Sequence, residues 1–139
     1  MLIHASCAAR DGSGVLLTGV PGSGKSDLLL RLIDRGYSLV ADDQVEISHG
    51  VARPPTALQG LLEIRGLGIV RLPYRAPVPL ILEVELARPD RLPQSRTGVF
   101  GCPIVTIDPN QVSAVKRLDM ALDCALGHVV QHTGAFTPW

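Results

Sequence analysis

The stretch GVPGSGKS, residues 19–26, fits the pattern G-x-x-x-x-G-K-[ST], and it lies between a predicted strand and a predicted helix. Glycines there let backbone amides curl around phosphate oxygens, and the helix N-terminus adds partial positive charge. The Lys25 ammonium would reach the β- and γ-phosphates, and the Ser26 hydroxyl would ligate Mg²⁺. The predicted nucleotide-binding residues are Gly19, Val20, Pro21, Gly22, Ser23, Gly24, Lys25 and Ser26.

Two adjacent acids, Asp42 and Asp43, follow a short apolar run at 39–41. Neighbouring carboxylates repel each other and are costly to desolvate, so their position needs a reason. In an α/β sheet the carboxyl ends of parallel strands gather at one edge, which would bring the pair close to the phosphate loop. One acid could hold Mg²⁺, directly or through water, while the other takes a proton from an incoming hydroxyl. Successive strand residues face opposite ways, so only one would point at the phosphates. A solvated acidic turn is the alternative.

Three further residues are less specific candidates. Glu63 lies among apolar neighbours in LLEIRGLGI and is either a second metal ligand or an acid on the wet face of a strand. Arg65 would steady phosphate charge or pair with Glu63. His4 lies in an apolar segment, where a lone histidine is more often structural than catalytic.

Composition limits the classes of protein that this chain can represent. It has 139 residues, 46% of them hydrophobic, which suits one globular domain over residues 1–139. Thirteen basic residues balance thirteen acidic ones, so no general attraction to nucleic acid or an anionic membrane is expected. Three scattered cysteines and the lack of a secretory signal or long apolar run favour a reduced, cytoplasmic location.

The order of predicted elements is that of an α/β domain with a mixed sheet. Hydrophobic periodicity predicts strands at 2–9, 15–18, 37–41, 80–86 and 104–107, a hairpin around 49–50, and a helix at 25–35. Asp108 and Pro109 are predicted to open a last helix, with a buried stripe running from Val112 to Val129.

Several stretches together resemble the catalytic domain of the HPr kinase/phosphorylase family. They are IH, which precedes the strand before the glycine-rich loop, GVLLTG leading into GSGKSDLLLRLIDRG, then LVADD and LLEIRGLGI. The last of these stretches is the most specific. The likeness covers residues 3 to about 86, with a weaker likeness through CPIVTIDP, and looks like the family's short form. It implies a fold akin to that of PEP carboxykinase, a hexamer, and an ATP- and Mg²⁺-dependent kinase that phosphorylates a serine of HPr, a phosphocarrier protein of the phosphotransferase system.

The resemblance also implies individual roles. Lys25 would hold phosphates, and Ser26, Glu63 and Asp43 would be the Mg²⁺ ligands. Asp43 would be the base that activates the serine hydroxyl, and Asp42 would support the metal and its water. His4 matches a histidine counted in the active site, and Arg65 lies within the matching signature.

The chain departs from the family at two places. Pro21 stands where a serine is usual, and TIDPNQVSAVKR has no counterpart of a glycine-arginine pair tied to dephosphorylation. Kinase activity is therefore a firmer expectation than the reverse step, in which inorganic phosphate attacks phosphoserine to give pyrophosphate.

Two other classes fit part of the sequence. A small-molecule P-loop kinase would need an arginine-bearing lid, for which Arg88, Arg91 and Arg96 are available, but it leaves LLEIRGLGI unexplained. A non-catalytic nucleotide sensor would not need Lys25, Ser26 and both acids intact.

Overall fold

The computed structural model describes residues 1–137. Within them the elements, in chain order, are β1 (Leu2–Ile3), β2 (Ser6–Arg10), β3 (Ser13–Thr18), α1 (Lys25–Asp34), β4 (Ser38–Ala41), β5 (Val45–Ser48), β6 (Val51–Arg53), a 3-10 turn (Thr56–Leu58), β7 (Leu61–Ile64), β8 (Gly68–Arg71), β9 (Val78–Leu86), β10 (Ile104–Ile107) and α2 (Ala114–Ala125).

Eight of the strands form one mixed sheet, which confirms the predicted fold class. Its order is β1-β5-β6-β9-β3-β2-β4, and β10 also pairs with β9. The pairs β3–β9 and β9–β10 are parallel, whereas β2 runs antiparallel to both of its neighbours, β3 and β4. The strands β7 and β8 form a separate hairpin.

The strand directions bring the predicted site to one edge of the sheet. Because β2 reverses direction between β3 and β4, the carboxyl ends of β3 and β4 lie at the same edge, where β2 begins. The strands β3 and β4 are not direct neighbours, since β2 lies between them.

Each face of the sheet carries its own apolar core. On one face α1 and α2 pack through fully buried leucines, among them Leu28, Leu32, Leu118 and Leu122. Burying one such side chain contributes roughly 1.5–3 kcal/mol. The opposite core is built from smaller side chains, including Cys7, Leu16, Val40 and Val45. This packing holds the sheet edge and the start of α1 in a fixed relation.

Two predicted boundaries are wrong. The predicted strand at 2–9 is broken by a bend at His4, so β1 and β2 pair with different strands. The last helix begins at Ala114 because Asp108 closes a tight turn instead: its Oδ1 accepts from the Asn110 amide at 2.9 Å.

The predicted stripe of that helix is too long at both ends. Val112 is fully exposed ahead of α2, and Val129, which is 37% exposed, lies beyond its end at Ala125.

The predicted hairpin around 49–50 is confirmed. His49 and Gly50 both have positive φ, 53° and 74°, which is the backbone of a two-residue type I′ turn. Neither helix within residues 1–137 is long and apolar enough to cross a bilayer.

Candidate active site

The P-loop, residues 19–26, joins the end of β3 to the start of α1. Gly22 and Gly24 have φ of 82° and 101°, a region that favours glycine. A Cβ on Gly19 would lie 2.6 Å from Ser23 Oγ, so a larger residue would displace that side chain. Glycines thus shape the backbone of this loop, and its binding of phosphate stays a prediction.

Lys25 folds back over this loop. Its ammonium donates to the carbonyl oxygens of Gly19 and Val20 at 3.0 and 3.2 Å, and lies 3.5 Å from Ser23 Oγ. These contacts hold the positive charge at the mouth of the loop, where phosphate oxygens would lie.

Asp42 is the most highly connected polar side chain of the site. It is only 5% exposed, and its Oδ1 accepts from Ser26 Oγ at 2.8 Å and from Ser6 Oγ at 2.9 Å. Its Oδ2 accepts from the Glu63 amide at 3.3 Å. One carboxylate therefore joins α1, β2 and β7, and three donors satisfy it in a buried position.

A β-bulge determines which acid of the pair faces the P-loop. Ala8 pairs with Leu39 and Cys7 pairs with Ala41, which leaves Val40 as an extra residue in β4. Leu39 points into the α1 core, whereas Val40 and Ala41 both belong to the opposite core. The next residue, Asp42, therefore returns to the α1 side; a regular strand would have turned it away.

Asp43 takes the exposed position beside it. Its φ is 67°, and the Gln44 amide donates to the Asp42 carbonyl oxygen at 2.7 Å, so Asp43 is the central residue of a γ-turn. Positive-φ γ-turns are rare and strained, and strained residues cluster at functional sites. Its carboxylate is left accessible to an incoming molecule.

The other candidates lie around this pair. Glu63 reaches Asp42 through its backbone amide, while its own side chain is exposed. Arg65 is exposed at the turn of the β7–β8 hairpin. His4 is exposed and precedes Ala5, whose amide donates to the Asp43 carbonyl oxygen at 3.3 Å. Backbone hydrogen bonds thus tie Glu63 and the residue after His4 to the aspartate pair, Arg65 lies two residues beyond Glu63, and the roles of all three stay predictions.

The donor set suits Mg²⁺ that is bound together with phosphates. Ser26 gives its proton to Asp42, which leaves the lone pairs of the hydroxyl oxygen free for a hard cation. Within residues 1–137 no group of three His, Cys, Asp or Glu side chains is arranged to hold a metal alone. Mg²⁺ commonly takes one or two protein ligands plus substrate phosphates, which fits this arrangement.

Two further features were not predicted. Ser6 was not predicted as part of the site, although a polar residue between apolar ones in HASCAA was the available signal. Pro109 and Leu86 pack against the P-loop. A Cβ on Gly24 would lie 3.7 Å from the Pro109 side chain, and a Cβ on Gly19 would lie 3.3 Å from Leu86 Cβ. Only the folded sheet brings these distant residues to the loop.

Comparison with known proteins shows which sequences and structures this chain is similar to. The sequence profile of the HPr Serine kinase C-terminal domain matches residues 1–74. The HPr kinase/phosphorylase of Burkholderia cenocepacia (strain HI2424) is 42% identical over 140 residues, which is 86% of this chain and 42% of that protein. The protein of the same name from Paraburkholderia phymatum (strain DSM 17167 / CIP 108236 / LMG 21445 / STM815) matches to the same extent. The chain therefore spans less than half the length of these curated relatives.

A solved structure is also similar. The Hpr(Ser) kinase/phosphatase from Coxiella burnetii superposes with a TM-score of 0.71 and 26% sequence identity, covering 95% of this chain and 99% of that one.

Proposed function

Because the chain belongs to the HPr serine kinase C-terminal domain family, we propose that it is an ATP- and Mg²⁺-dependent serine kinase of an HPr-like phosphocarrier protein. The observation that carries the proposal is the contact of Asp42 with Ser26 beside an accessible Asp43. This arrangement separates an acid that orients the phosphate side from an acid that can meet a protein hydroxyl.

The proposed reaction asks the protein mainly for position and charge. Lys25 and the loop amides would hold phosphate oxygens, and Ser26 would supply an oxygen ligand to Mg²⁺, whose charge would offset that of the phosphates. Asp43 accepts the proton of the serine hydroxyl while the serine oxygen forms a bond to the γ-phosphorus. The bond between that phosphorus and the bridging oxygen breaks, and ADP leaves. Glu63 is proposed as a further metal ligand, while His4 and Arg65 line the approach.

The wider setting is also a proposal. The relatives' names support HPr as the partner and phosphorolysis as the reverse step, in which a protonated Asp43 returns its proton to the serine oxygen. We propose a cytoplasmic location and assembly into a homo-oligomer, a hexamer by resemblance to the family. The balance of thirteen basic and thirteen acidic residues supports a partner other than nucleic acid or membrane.

The test is transfer of label from γ-labelled ATP to HPr from the same cell, in Mg²⁺, with analysis of the labelled residue. We expect label on a serine. Lys25→Ala should abolish it, and Asp43→Asn should slow transfer by about 10²- to 10⁴-fold, the usual share of a general base. Asparagine tolerates positive φ, so this variant removes the charge and keeps the turn.

Asp11→Asn is the matched control. Asp11 is also an exposed aspartate with positive φ, 51°, but it lies in the β2–β3 turn at the other end of those strands. Its variant should keep full activity. ATP binding without labelled HPr, or equal rates in all variants, would contradict the proposal.

A further inference from the structure

Ser6 is a buried hydroxyl at the start of β2. It is 1% exposed, and its Oγ donates to Asp42 Oδ1 at 2.9 Å. A buried serine is often satisfied by a nearby backbone carbonyl. Here the proton goes instead to a buried carboxylate 36 positions along the chain. Such a charge-assisted bond is stronger and more directional than one between neutral groups.

The bond belongs to a set that fixes the orientation of the Asp42 carboxylate. Ser6 and Ser26 share Oδ1, while the Glu63 amide occupies Oδ2. Rotation of the carboxylate would break both hydroxyl bonds at once. Ser26 lies in the first turn of α1, whereas Ser6 comes from a strand with partners on both sides, β3 and β4. Ser6 therefore ties the Asp42 carboxylate to the sheet, while Ser26 ties it to the helix that follows the P-loop.

We propose that Ser6 is a positioning residue that aims Asp42 Oδ1 at Ser26 and so prepares the Ser26 oxygen for Mg²⁺-dependent nucleotide binding. The inference rests on the proposed function. A hydroxyl can ligate a cation only with its proton turned away, and Oδ1 is the acceptor that takes this proton. Ser6 touches neither nucleotide nor cation, and it acts through Asp42. Loss of groups that orient metal ligands in this way typically costs 10- to 100-fold in affinity or activity.

A purely structural role would have a different signature. If Ser6 only stabilised the fold, Ser6→Ala would lower the melting temperature and leave the Mg²⁺ dependence of ATP binding unchanged. A positioning role changes the dependence on Mg²⁺ and leaves metal-free ATP binding as it was, because Lys25 and the loop amides are intact.

The experiment is calorimetric titration of the whole chain with ATP, in Mg²⁺ and in a chelator. The variants are Ser6→Ala, Ser26→Ala and the double variant. We expect Ser6→Ala to weaken binding of Mg·ATP by about tenfold and to leave metal-free ATP unchanged. In the Ser26→Ala background Ser6→Ala should add no further loss, because the residue it acts through is gone.

Cys7→Ala is the matched control. Cys7 is the next residue of β2 and is fully buried, but it belongs to the opposite core. Its variant should keep the Mg²⁺ dependence of the parent chain. Equal weakening with and without Mg²⁺ in Ser6→Ala, or additive losses in the double variant, would overturn the role of Ser6 alone. If Mg²⁺ does not tighten ATP binding in the parent chain, the proposed function and this inference both fail.

Discussion

At the scale of single residues, the carboxylate of Glu83 lies close to the site and is partly removed from water, which disfavours its charged form. Its Oε2 accepts from the hydroxyl of Thr18, the last residue before the P-loop, at 3.3 Å. Its Oε1 is buried without a hydrogen-bond partner among residues 1–137. A Cβ on Gly98 would lie 2.7 Å from that oxygen, so the 96–103 segment closes over it. Burial raises the pKa of Glu83, although the Thr18 hydroxyl and Arg96 act against the shift.

This shift predicts how Glu83→Gln changes the dependence of stability on pH. A carboxyl whose pKa is raised by folding stabilises the folded state only while it is protonated. That contribution is present below the ordinary pKa of 4.5 and is lost as pH rises through the folded value. Glu83→Gln should therefore melt higher than the parent chain at pH 8, and the difference should shrink toward pH 4.5, as measured by thermal melts.

Glu85→Gln controls for removal of a negative charge from the same strand. Glu85 is paired, since it accepts from Arg96 at 3.1 Å and from Thr106 at 3.2 Å. Its variant should gain nothing at pH 8. A gain for Glu83→Gln that is the same at pH 8 and pH 4.5 would contradict desolvation as the cause.

Sequence patterns predicted the types of residue at the site better than their orientation. The spacing of the P-loop motif and the Asp42–Asp43 pair marked the correct sheet edge. The pattern could not show which acid turns inward, because that depends on the bulge at Val40. A bulge is fixed by pairing between β2 and β4, which are far apart in the chain. Ser6 was missed for the same reason.

At the scale of elements, the β7–β8 hairpin packs on the α1 core through Leu62, with Ile64 and Val70 partly buried beside it. Leu62 is 1% exposed and reaches the core against α1, while the hairpin tip, including Leu67 at 72%, is exposed. The next residue, Glu63, gives its amide to Asp42. The fully buried residue of the hairpin therefore lies next to the residue that supplies one donor of the site.

Leu62→Ala should lower the free energy of unfolding by about 2–5 kcal/mol, because it removes a buried side chain and leaves a cavity. Leu67→Ala, on the same hairpin, should stay within about 0.5 kcal/mol of the parent chain. Urea denaturation measures both. Equal losses would show that the tip is covered by other contacts, and a small loss for Leu62→Ala would mean that the hairpin is not anchored there.

Element boundaries were predicted well where local signals and burial agree. The helix predicted at 25–35 is observed as Lys25–Asp34, with Gly36 at φ 97° after it. The predicted start of the last helix is wrong because Asp108 and Pro109 favour the start of a helix and the start of a turn alike. Tertiary contacts decide between them: Arg31 donates to the Pro109 carbonyl oxygen at 2.7 Å, which holds that turn against α1.

At the scale of the whole molecule, a polar clamp joins the first hairpin to the last helix. The guanidinium of Arg10, at the end of β2, lies 2.5 Å from Asp123 Oδ1 and 3.7 Å from Asp119 Oδ1, and both aspartates are on α2. The Tyr37 hydroxyl, just ahead of β4, donates to Asp119. Burial, followed by the contact with Asp119, raises the pKa of Tyr37, so it stays a neutral donor. Sequence periodicity gave no sign of these contacts, which join residues more than 80 positions apart.

Arg10→Met should therefore cost more stability than the loss of a surface ion pair. The three charged side chains of the clamp are only 23–26% exposed, and the variant leaves two aspartates without their guanidinium. Allowing for partial solvent screening, we expect a loss of about 1–3 kcal/mol in the free energy of unfolding. Arg96→Met, whose pair with Glu85 is 48% and 44% exposed, should lose at most about 1 kcal/mol. Urea denaturation of both variants measures the difference: if their losses are equal, the Arg10 ion pairs add no more stability than a surface ion pair does.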